Sequence, residues 1–443
     1  MKDTETGTKK LRILMVSYLY PPLHMGGYEL RCSWVAKELQ KKGHEVCVVA
    51  SSYKCDSPRR DAENVDGTKV SRVLHDYNHT HAAKTRWQKL LRLRRQYRDV
   101  LNFARIVDDF KPDVICWWYV GGLCKGLLAV PSSKNIPDIH FIDDLWMVQL
   151  GNDRSGDSFG WDRFWKGQWR PKFLGFIWRR MASVLRWFAE RRGVPFRFEN
   201  ITSDYACYVS QFQKQANRSM RIHFEDSRVI YGGAFEEMFF RQRDWNEMAS
   251  NGRPLRLIYA GAITESRRLH DLINALDNMD DDQNRKFTLT IVGKPPNKKL
   301  VPYYNRLRDV VSGGKLKGCV NFLGEVPHNE MPETYASHDV LVFPSTRPEG
   351  LPLTMVEAMI SGCCVLTTGS GGAAEVAIAG DLPIFAAGSA YYLKKMLLDL
   401  EGNRRQISEH ARRGQSAAME RYTFSRMLEE IEQVMLSLTV QVN

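Results

Sequence analysis

Arg347-Pro-Glu-Gly-Leu-Pro-Leu-Thr-Met-Val-Glu-Ala-Met-Ile-Ser-Gly362 carries two carboxylates, Glu349 and Glu357, eight residues apart. The run before it, Asp339-Val-Leu-Val-Phe-Pro-Ser345, is apolar and bounded by Pro, the pattern of a buried strand. Cys363-Cys-Val-Leu-Thr367, just after it, reads the same way. Pro352 suits a first helical turn and Gly362 a helix stop. The order is therefore strand, loop, helix, strand. Glu349 falls on the loop at the carboxyl end of a strand, and Glu357 inside the helix near its start. That edge is where open α/β sheets bind ligands.

A helix start presents free N–H groups and a partial positive charge, so it attracts phosphate. Gly350 has no side chain and lets a ligand approach the backbone. Carboxylates beside an anion site do not hold the anion. They suit the hydroxyls of a sugar or ribose, or a developing positive charge. The combination reads as a pocket for a nucleotide sugar. In isolation, an E-x7-E pair is more often a solvated loop Glu and a first-turn Glu on a surface helix. The strands on either side lower that reading.

The same strand–loop–helix order opens the chain. Leu11-Arg-Ile-Leu-Met-Val-Ser17 is an apolar run, followed by a Pro- and Gly-rich loop. Residues 28–42 have helical spacing, with Leu30, Trp34, Val35 and Leu39 on the expected buried face. Gly43 stops the helix, and residues 45–50 form the next strand. This is a Rossmann-like beginning, but its glycines do not spell G-x-G-x-x-G, which discounts a dinucleotide dehydrogenase. Gly26-Gly27 at the helix start suits a close approach to phosphate, or else a plain turn. Further apolar runs predict strands at residues 113–118, 138–146, 205–210, 255–261, 287–293 and 320–324. Residues 84–106 and 422–438 read as helices, and the polar residues 242–254 as a linker.

With 443 residues, two domains are expected. No apolar run approaches the roughly 18 residues of a transmembrane helix, and the first ten residues hold no signal core. The nine cysteines are scattered without a C-x2-C pair, which argues for a reducing compartment and against disulfides or zinc. The net charge of +12 is uneven. Seven basic and no acidic residues run from Lys84 to Arg98. Nine basic residues against Glu190 run from Arg163 to Arg192, interleaved with Trp161, Trp165, Trp169, Trp178 and Trp187. Trp with Arg and Lys is the composition of an interfacial membrane segment. A solvated insertion and a nucleic-acid surface are the weaker readings, the latter the weakest. Asp280-Asp-Asp282 could pass for a metal-binding motif, but reads as solvated charge.

Pro344-Ser345, Glu349-Gly-Leu-Pro352, Glu357-Ala-Met359 and Gly362 resemble the signature of the retaining glycosyltransferases of family 4, which have the GT-B fold. The resemblance runs from about Leu11 to the C-terminus. It implies that Glu349 contacts the donor sugar hydroxyls and Glu357 the ribose. The backbone of Gly350, Leu351, Pro352, Leu353 and Thr354 would hold sugar and diphosphate. Gly26 and Gly27 match a Gly-Gly of the family near that diphosphate. Where many members carry His-Asp beside the reacting sugar, this chain has Asp143-Asp144. Asp143 becomes the candidate there, able to accept a hydrogen bond from sugar or acceptor. His140, three residues earlier on a strand, faces the other side and is read as structural. The family's diphosphate clamp is Gly-Arg followed by Lys-Gly. Here Gly261-Ala262 lacks the Arg, and Arg267-Arg268-Leu269 stands where Lys-Gly would be. Either arginine could grip phosphate bidentately. Gly293 closes a strand near the donor, and Glu325 and Val326 are candidates to cup the base. Gly369-Ser-Gly-Gly372 with Glu375 resembles the family's glycine turn.

The resemblance therefore implies two Rossmann-like α/β domains facing across a cleft. Their expected extents are residues 1–241, with the basic aromatic insertion at 161–198, and residues 242–421. A C-terminal helix, 422–443, would return to the first domain. The expected activity is metal-independent transfer of a hexosyl group, with retention, from a nucleotide sugar to a glycan or lipid-linked acceptor, with no cofactor. The expected place is the cytoplasm, at an anionic membrane surface on the inner face of the plasma membrane. Two other readings stay open: a nonenzymatic nucleotide-sugar binder and a soluble glucan synthase of the same fold.

Overall fold

The computed structural model describes residues 9–24, 26–53, 62–77, 86–144, 161, 165, 175–196, 202–219 and 223–441. The chain forms two compact units. The first comprises residues 1–208, 214–230 and 428–443; the second comprises residues 209–213 and 231–427.

The first unit is built on an eight-stranded sheet in the order β3-β4-β2-β1-β5-β6-β7-β8. Its strands are β1 (Arg12–Ser17), β2 (Glu45–Ser51), β3 (Glu63–Val65), β4 (Thr68–Leu74), β5 (Val114–Tyr119), β6 (Asp138–Ile142), β7 (Thr202–Tyr208) and β8 (His223–Val229). The pairings are parallel except β3 with β4. Ile13 through Val16 are fully buried, as a parallel strand covered on both faces requires. Helix α1 (Gly27–Lys41) packs through Cys32, Val35, Ala36 and Leu39, a stripe at helical spacing. Leu30 and Trp34, expected on that face, are half-exposed. Helix α2 (Arg86–Phe110) contributes Leu93, Val100, Phe103 and Val107 to the core.

The two basic stretches divide in the structure. Lys84, Trp169 and most of residues 162–174 lie outside the described residues. Trp161 and Trp165 are core residues, 2% and 7% exposed; Trp161 stacks on Phe196 at 5.6 Å and Trp165 lies tilted against it at 4.6 Å. They do not belong to a surface patch, which corrects the interfacial reading for this part of the stretch. Helix α3 (Gly175–Glu190) differs: it turns Ala182 and Ala189 inward and leaves Met181, Val184, Leu185 and Phe188 exposed. No helix among the described residues is long and apolar enough to cross a membrane. The described cysteines are buried except Cys319, which is half-exposed.

In the second unit a five-stranded parallel sheet has the order β11-β10-β9-β12-β13. The strands are β9 (Leu255–Ala260), β10 (Phe287–Val292), β11 (Val320–Gly324), β12 (Val340–Phe343) and β13 (Cys364–Thr367). Residues 242–254 are not a linker. Asp244 caps helix α4 (Trp245–Ala249), accepting from the N–H groups of Asn246 and Glu247, and Met248 is buried in the unit's core. Arg253 and Arg256 bind Asp339, which is fully buried at the start of β12. The chain passes between units at residues 230 and 231 instead. Helix α5 (Leu269–Asp277) follows β9, and α6 (Leu353–Ile360) joins β12 to β13. Helix α7 (Gly372–Gly380) follows β13.

Asp280 caps a short turn of helix, its carboxylate accepting from Gln283 N–H at 2.8 Å, while Asp281 and Asp282 are exposed. The last helix, α8 (Phe424–Gln441), belongs to the first unit from Leu428 onward. There Glu432 pairs with Lys42 at 2.5 Å and with His44 at 2.9 Å.

Candidate active site

In the second unit the residues of the opening segment converge. β12 ends at Phe343, residues 344–352 form a loop, and α6 begins at Leu353. Pro352 precedes the first helical residue, and its carbonyl accepts from Met355 N–H at 3.0 Å, so the N–H groups of Leu353 and Thr354 are the first-turn donors with no acceptor one turn earlier in the helix. Glu349 is held by its main chain. Its carbonyl accepts from Gly372 N–H at 2.8 Å, and it pairs with Gly371 in an isolated bridge. A Cβ on Gly372 would stand 1.8 Å from the carbonyl oxygen of Gly350. Gly371 sits at φ +65° with Glu349 backbone atoms 2.8–2.9 Å from the position of a Cβ. The glycine turn is glycine because another stretch of main chain lies directly on it.

The Glu349 carboxylate meets Arg267, Oε1 to Nη2 at 2.9 Å, with each side chain about one-fifth exposed. Arg267 also lies over the Phe343 ring and over Gly261, where a Cβ would stand 2.5 Å from its Nη1. The small residue at 261 thus makes room for the guanidinium that reaches the loop. Arg268 adopts a left-handed conformation, φ +52°, and its guanidinium grips Asp271 at 2.5 and 2.9 Å. Of the two candidate arginines, Arg267 joins Glu349 and Arg268 does not.

Glu357 accepts a hydrogen bond from the Tyr335 hydroxyl at 3.3 Å and stands 3.0 Å from His328 Nε2. Burial, and then the Glu357 charge, push the Tyr335 phenol well above its ordinary value, so it remains a donor. Glu357, Thr354, Glu325, Val326, Gly261 and Gly293 line an open hollow of about 470 Å³. Gly293 has φ +129°, and a Cβ there would lie 2.0 Å from the Gly261 carbonyl oxygen. The hollow is therefore bounded by bare main chain where β9 and β10 end. Glu325 is exposed and pairs with Lys294 at 2.5 Å. Among the remaining candidates, Gly350 and Pro352 are buried and Leu351 and Leu353 half-buried. Glu375 of α7 accepts from Gln211 N–H, Phe212 N–H and the Tyr231 hydroxyl at 3.0, 2.6 and 2.9 Å. It acts as an anchor of backbone within this unit.

The first unit gathers a second group. Gly26 caps α1 and donates its N–H to Glu29 at 3.1 Å. Among the described residues nothing lies within 4 Å of a Cβ on Gly26 or Gly27, so none of these neighbours demands glycine there. Asp143, just past β6, forms an ion pair with Arg31 of α1. The Tyr28 hydroxyl accepts from the N–H groups of Asp143 and Asp144. Burial raises the Asp143 carboxyl above the usual range, and Arg31 opposes that rise. His140 is fully buried, 3.4 Å from Asp138 and stacked on Trp117. His328 and Tyr335 escaped the sequence reading, although His328 lies only two residues beyond Val326. Tyr28 and Arg31 escaped it too, because their partners lie more than a hundred residues away.

Residues 25–234 match the family model described as Glycosyltransferase Family 4, and residues 240–414 the model described as Glycosyl transferases group 1. An uncharacterized glycosyltransferase of Methanocaldococcus jannaschii is 24% identical over 382 residues, 83% of this chain and 82% of that one. Sucrose-phosphate synthase from Thermosynechococcus elongatus superposes with a TM-score of 0.66 at 16% identity, covering 97% of this chain and 99% of that one. HepE of Anabaena, solved in complex with UDP-glucose, gives 0.61 at 17% identity over 96% and 99% of the two chains. At these identities the solved structures establish a shared fold.

Proposed function

From the premise that a chain tiled by these two domains is a glycosyltransferase of the GT-B type, we propose that it moves a hexosyl group from a nucleotide sugar to a glycan or lipid-linked acceptor with retention. The observation that carries this reading is the placement of Glu349 and Glu357. One is fixed by Arg267 and the glycine turn, the other lines the hollow, and the start of α6 lies between them. The base stacks beside Glu325 and Val326, and a ribose hydroxyl donates to Glu357. The diphosphate meets the N–H groups at the start of α6 and the Arg267 fork. Glu349 accepts from the sugar hydroxyls.

The acceptor oxygen attacks the anomeric carbon on the face from which the diphosphate departs. The carbon–phosphate-oxygen bond breaks, and the leaving phosphate takes the acceptor's proton. Retaining hydrolases place two carboxyls roughly 5 Å apart and use one as nucleophile. This reaction needs no protein nucleophile, and the chain supplies position and charge. Asp143 accepts from sugar or acceptor only while it also serves Arg31. A lipid-linked acceptor is supported by α3. Its apolar stripe Met181, Val184, Leu185 and Phe188 faces outward, flanked by exposed Arg179, Arg180, Arg191 and Arg192. Each such cation is worth about 1 kcal/mol near anionic lipid.

The test is thermal shift and sugar release against UDP-, GDP-, ADP- and dTDP-sugars. A ligand at 100 times its Kd stabilises by about 2.7 kcal/mol, a shift of several degrees. A shift with one nucleotide together with slow release of its sugar supports the reading. A shift with no turnover on any acceptor would favour a binding protein, and no shift with any donor would sink the proposal.

A further inference from the structure

Both oxygens of Glu357 are engaged within the second unit. Oε1 stands 3.0 Å from His328 Nε2, and Oε2 accepts from the Tyr335 hydroxyl at 3.3 Å. The two partners are placed differently. Tyr335, on the short helix Met331–Ala336, is 1% exposed and held in the core. His328 opens the turn that follows β11, directly after Glu325, Val326 and Pro327. Pro327 enters that turn at φ −55°, and its carbonyl accepts from Glu330 N–H at 2.9 Å. Gly293 N–H donates to the Gly324 carbonyl at 2.7 Å, which ties the start of the loop to β10. The fully buried Phe239 ring lies 5.2 Å from the imidazole. A closed turn and a buried ring thus aim His328 at Glu357.

A carboxylate only accepts, so His328 Nε2 carries the proton in this contact, in the neutral ring and the imidazolium alike. The two oxygens of a carboxylate offer about four lone-pair directions. His328 and Tyr335 take one on each oxygen, which leaves one on each. Two acceptors side by side complement two adjacent hydroxyls, each donating to one oxygen. Glu357 lines the hollow and its side chain is 13% exposed, whereas that of His328 is 41% exposed. A pair with so exposed a partner adds little to stability. Its effect falls on the orientation of the carboxylate.

We propose that His328 is a positioning residue for the ribose contact. With Tyr335 it holds the Glu357 carboxylate so that the remaining lone pairs accept from a vicinal diol. The site then takes nucleoside diphosphates bearing both the 2′ and 3′ hydroxyls in preference to their 2′-deoxy forms. The inference rests on the nucleotide-sugar reading and adds to it a residue and a discrimination between substrates.

Isothermal titration calorimetry on the full chain would compare UDP with dUDP, GDP with dGDP and ADP with dADP. The wild type is expected to bind one ribonucleotide about 30-fold more tightly than its deoxy form, the effect of one hydrogen bond to a charged group. His328→Asn leaves no donor at the place of Nε2. It should bind that ribonucleotide about tenfold more weakly and the deoxy form nearly as before, with Tm almost unchanged. His328→Gln returns an amide N–H to the place of Nε2 and should restore most of the discrimination. Equal weakening of both forms by His328→Asn would make His328 a scaffold of the base loop and overturn the inference. A wild type that binds a ribonucleotide and its deoxy form alike would also overturn it while leaving the nucleotide-sugar reading standing. A wild type that binds none of these nucleotides overturns that reading itself, and this inference with it.

Discussion

Glu349→Ala removes a carboxylate while leaving its setting in place. The loop is held through atoms that alanine keeps: the carbonyl of residue 349 still accepts from Gly372 N–H, and the bridge to Gly371 is main chain. What disappears is the 2.9 Å contact with Arg267. Two unit charges at that distance attract by about 1.4 kcal/mol at the dielectric of water and about 6 kcal/mol at an effective constant of 20. Desolvation and side-chain entropy offset most of this for a pair one-fifth exposed, leaving roughly 1 kcal/mol. Such a loss lowers Tm by about 2–4 °C in a unit of this size. Transfer should fall far more. Loss of one group aimed at the reacting centre costs about 10²–10³ in kcat. The assay is sugar transfer by purified protein, beside thermal scans with and without nucleotide. Arg267→Ala and the double variant complete a cycle. If Glu349 served only to hold Arg267, the double variant would be no slower than Arg267→Ala alone. Transfer at the wild-type rate in Glu349→Ala would refute the reasoning. So would a fall in Tm above about 10 °C, which would make the side chain a scaffold element.

Gly372→Ala drives a methyl to 1.8 Å from the Gly350 carbonyl oxygen. It should cost about 1–3 kcal/mol as overpacking does and abolish the thermal shift given by the donor, read by differential scanning fluorimetry. Asp339 links stability to pH. Burial raises its carboxyl, but hydrogen bonds from Arg253 and Arg256 outweigh this and hold it at about 2, below the ordinary 3.8. A depressed carboxyl stabilises the fold fully above its unfolded value and loses that contribution as pH falls from about 4 to about 2. The contribution is roughly 2 kcal/mol. Asp339→Asn should flatten this part of the acid-unfolding curve, and an unchanged slope would count against the cluster. Val184→Glu with Phe188→Glu should abolish sedimentation with phosphatidylglycerol vesicles while sparing transfer to a water-soluble acceptor. Equal binding by the variant would remove the membrane role of α3.

The apolar strands were legible because parallel strands are covered on both faces, and continuous apolar runs between Gly and Pro leave few alternatives. β4 and β8 were not. Thr68–Leu74 and His223–Val229 carry Lys, Arg, Glu and Asp near the sheet's two margins, and polar strands lack the run. The stretch misread as a linker is polar for a local reason. Its Asp244 caps a helix and its Arg253 and Arg243 neutralise buried Asp339, leaving only Met248 and Trp245 as apolar clues. The E-x7-E segment could be found because spacing along one loop and helix encodes it. Arg267 and Arg268 could not be told apart, since a single left-handed residue sends their side chains to different partners. His328 and Glu357 have no shared motif, and they meet only because the turn after β11 and α6 are folded together.

The division of the chain bears on how it is made. Glu432 emerges from the ribosome 390 and 388 residues after its partners Lys42 and His44. Ile431, Val434 and Met435, each buried, emerge with it. At about 5–20 residues per second, the roughly 200 residues between β8 and this helix take about 10–40 s to synthesise. For that interval the nascent first unit shows an apolar strip and a histidine awaiting its partner, a target for chaperones. The first unit to begin folding is therefore the last to finish, and no single cut can free it whole.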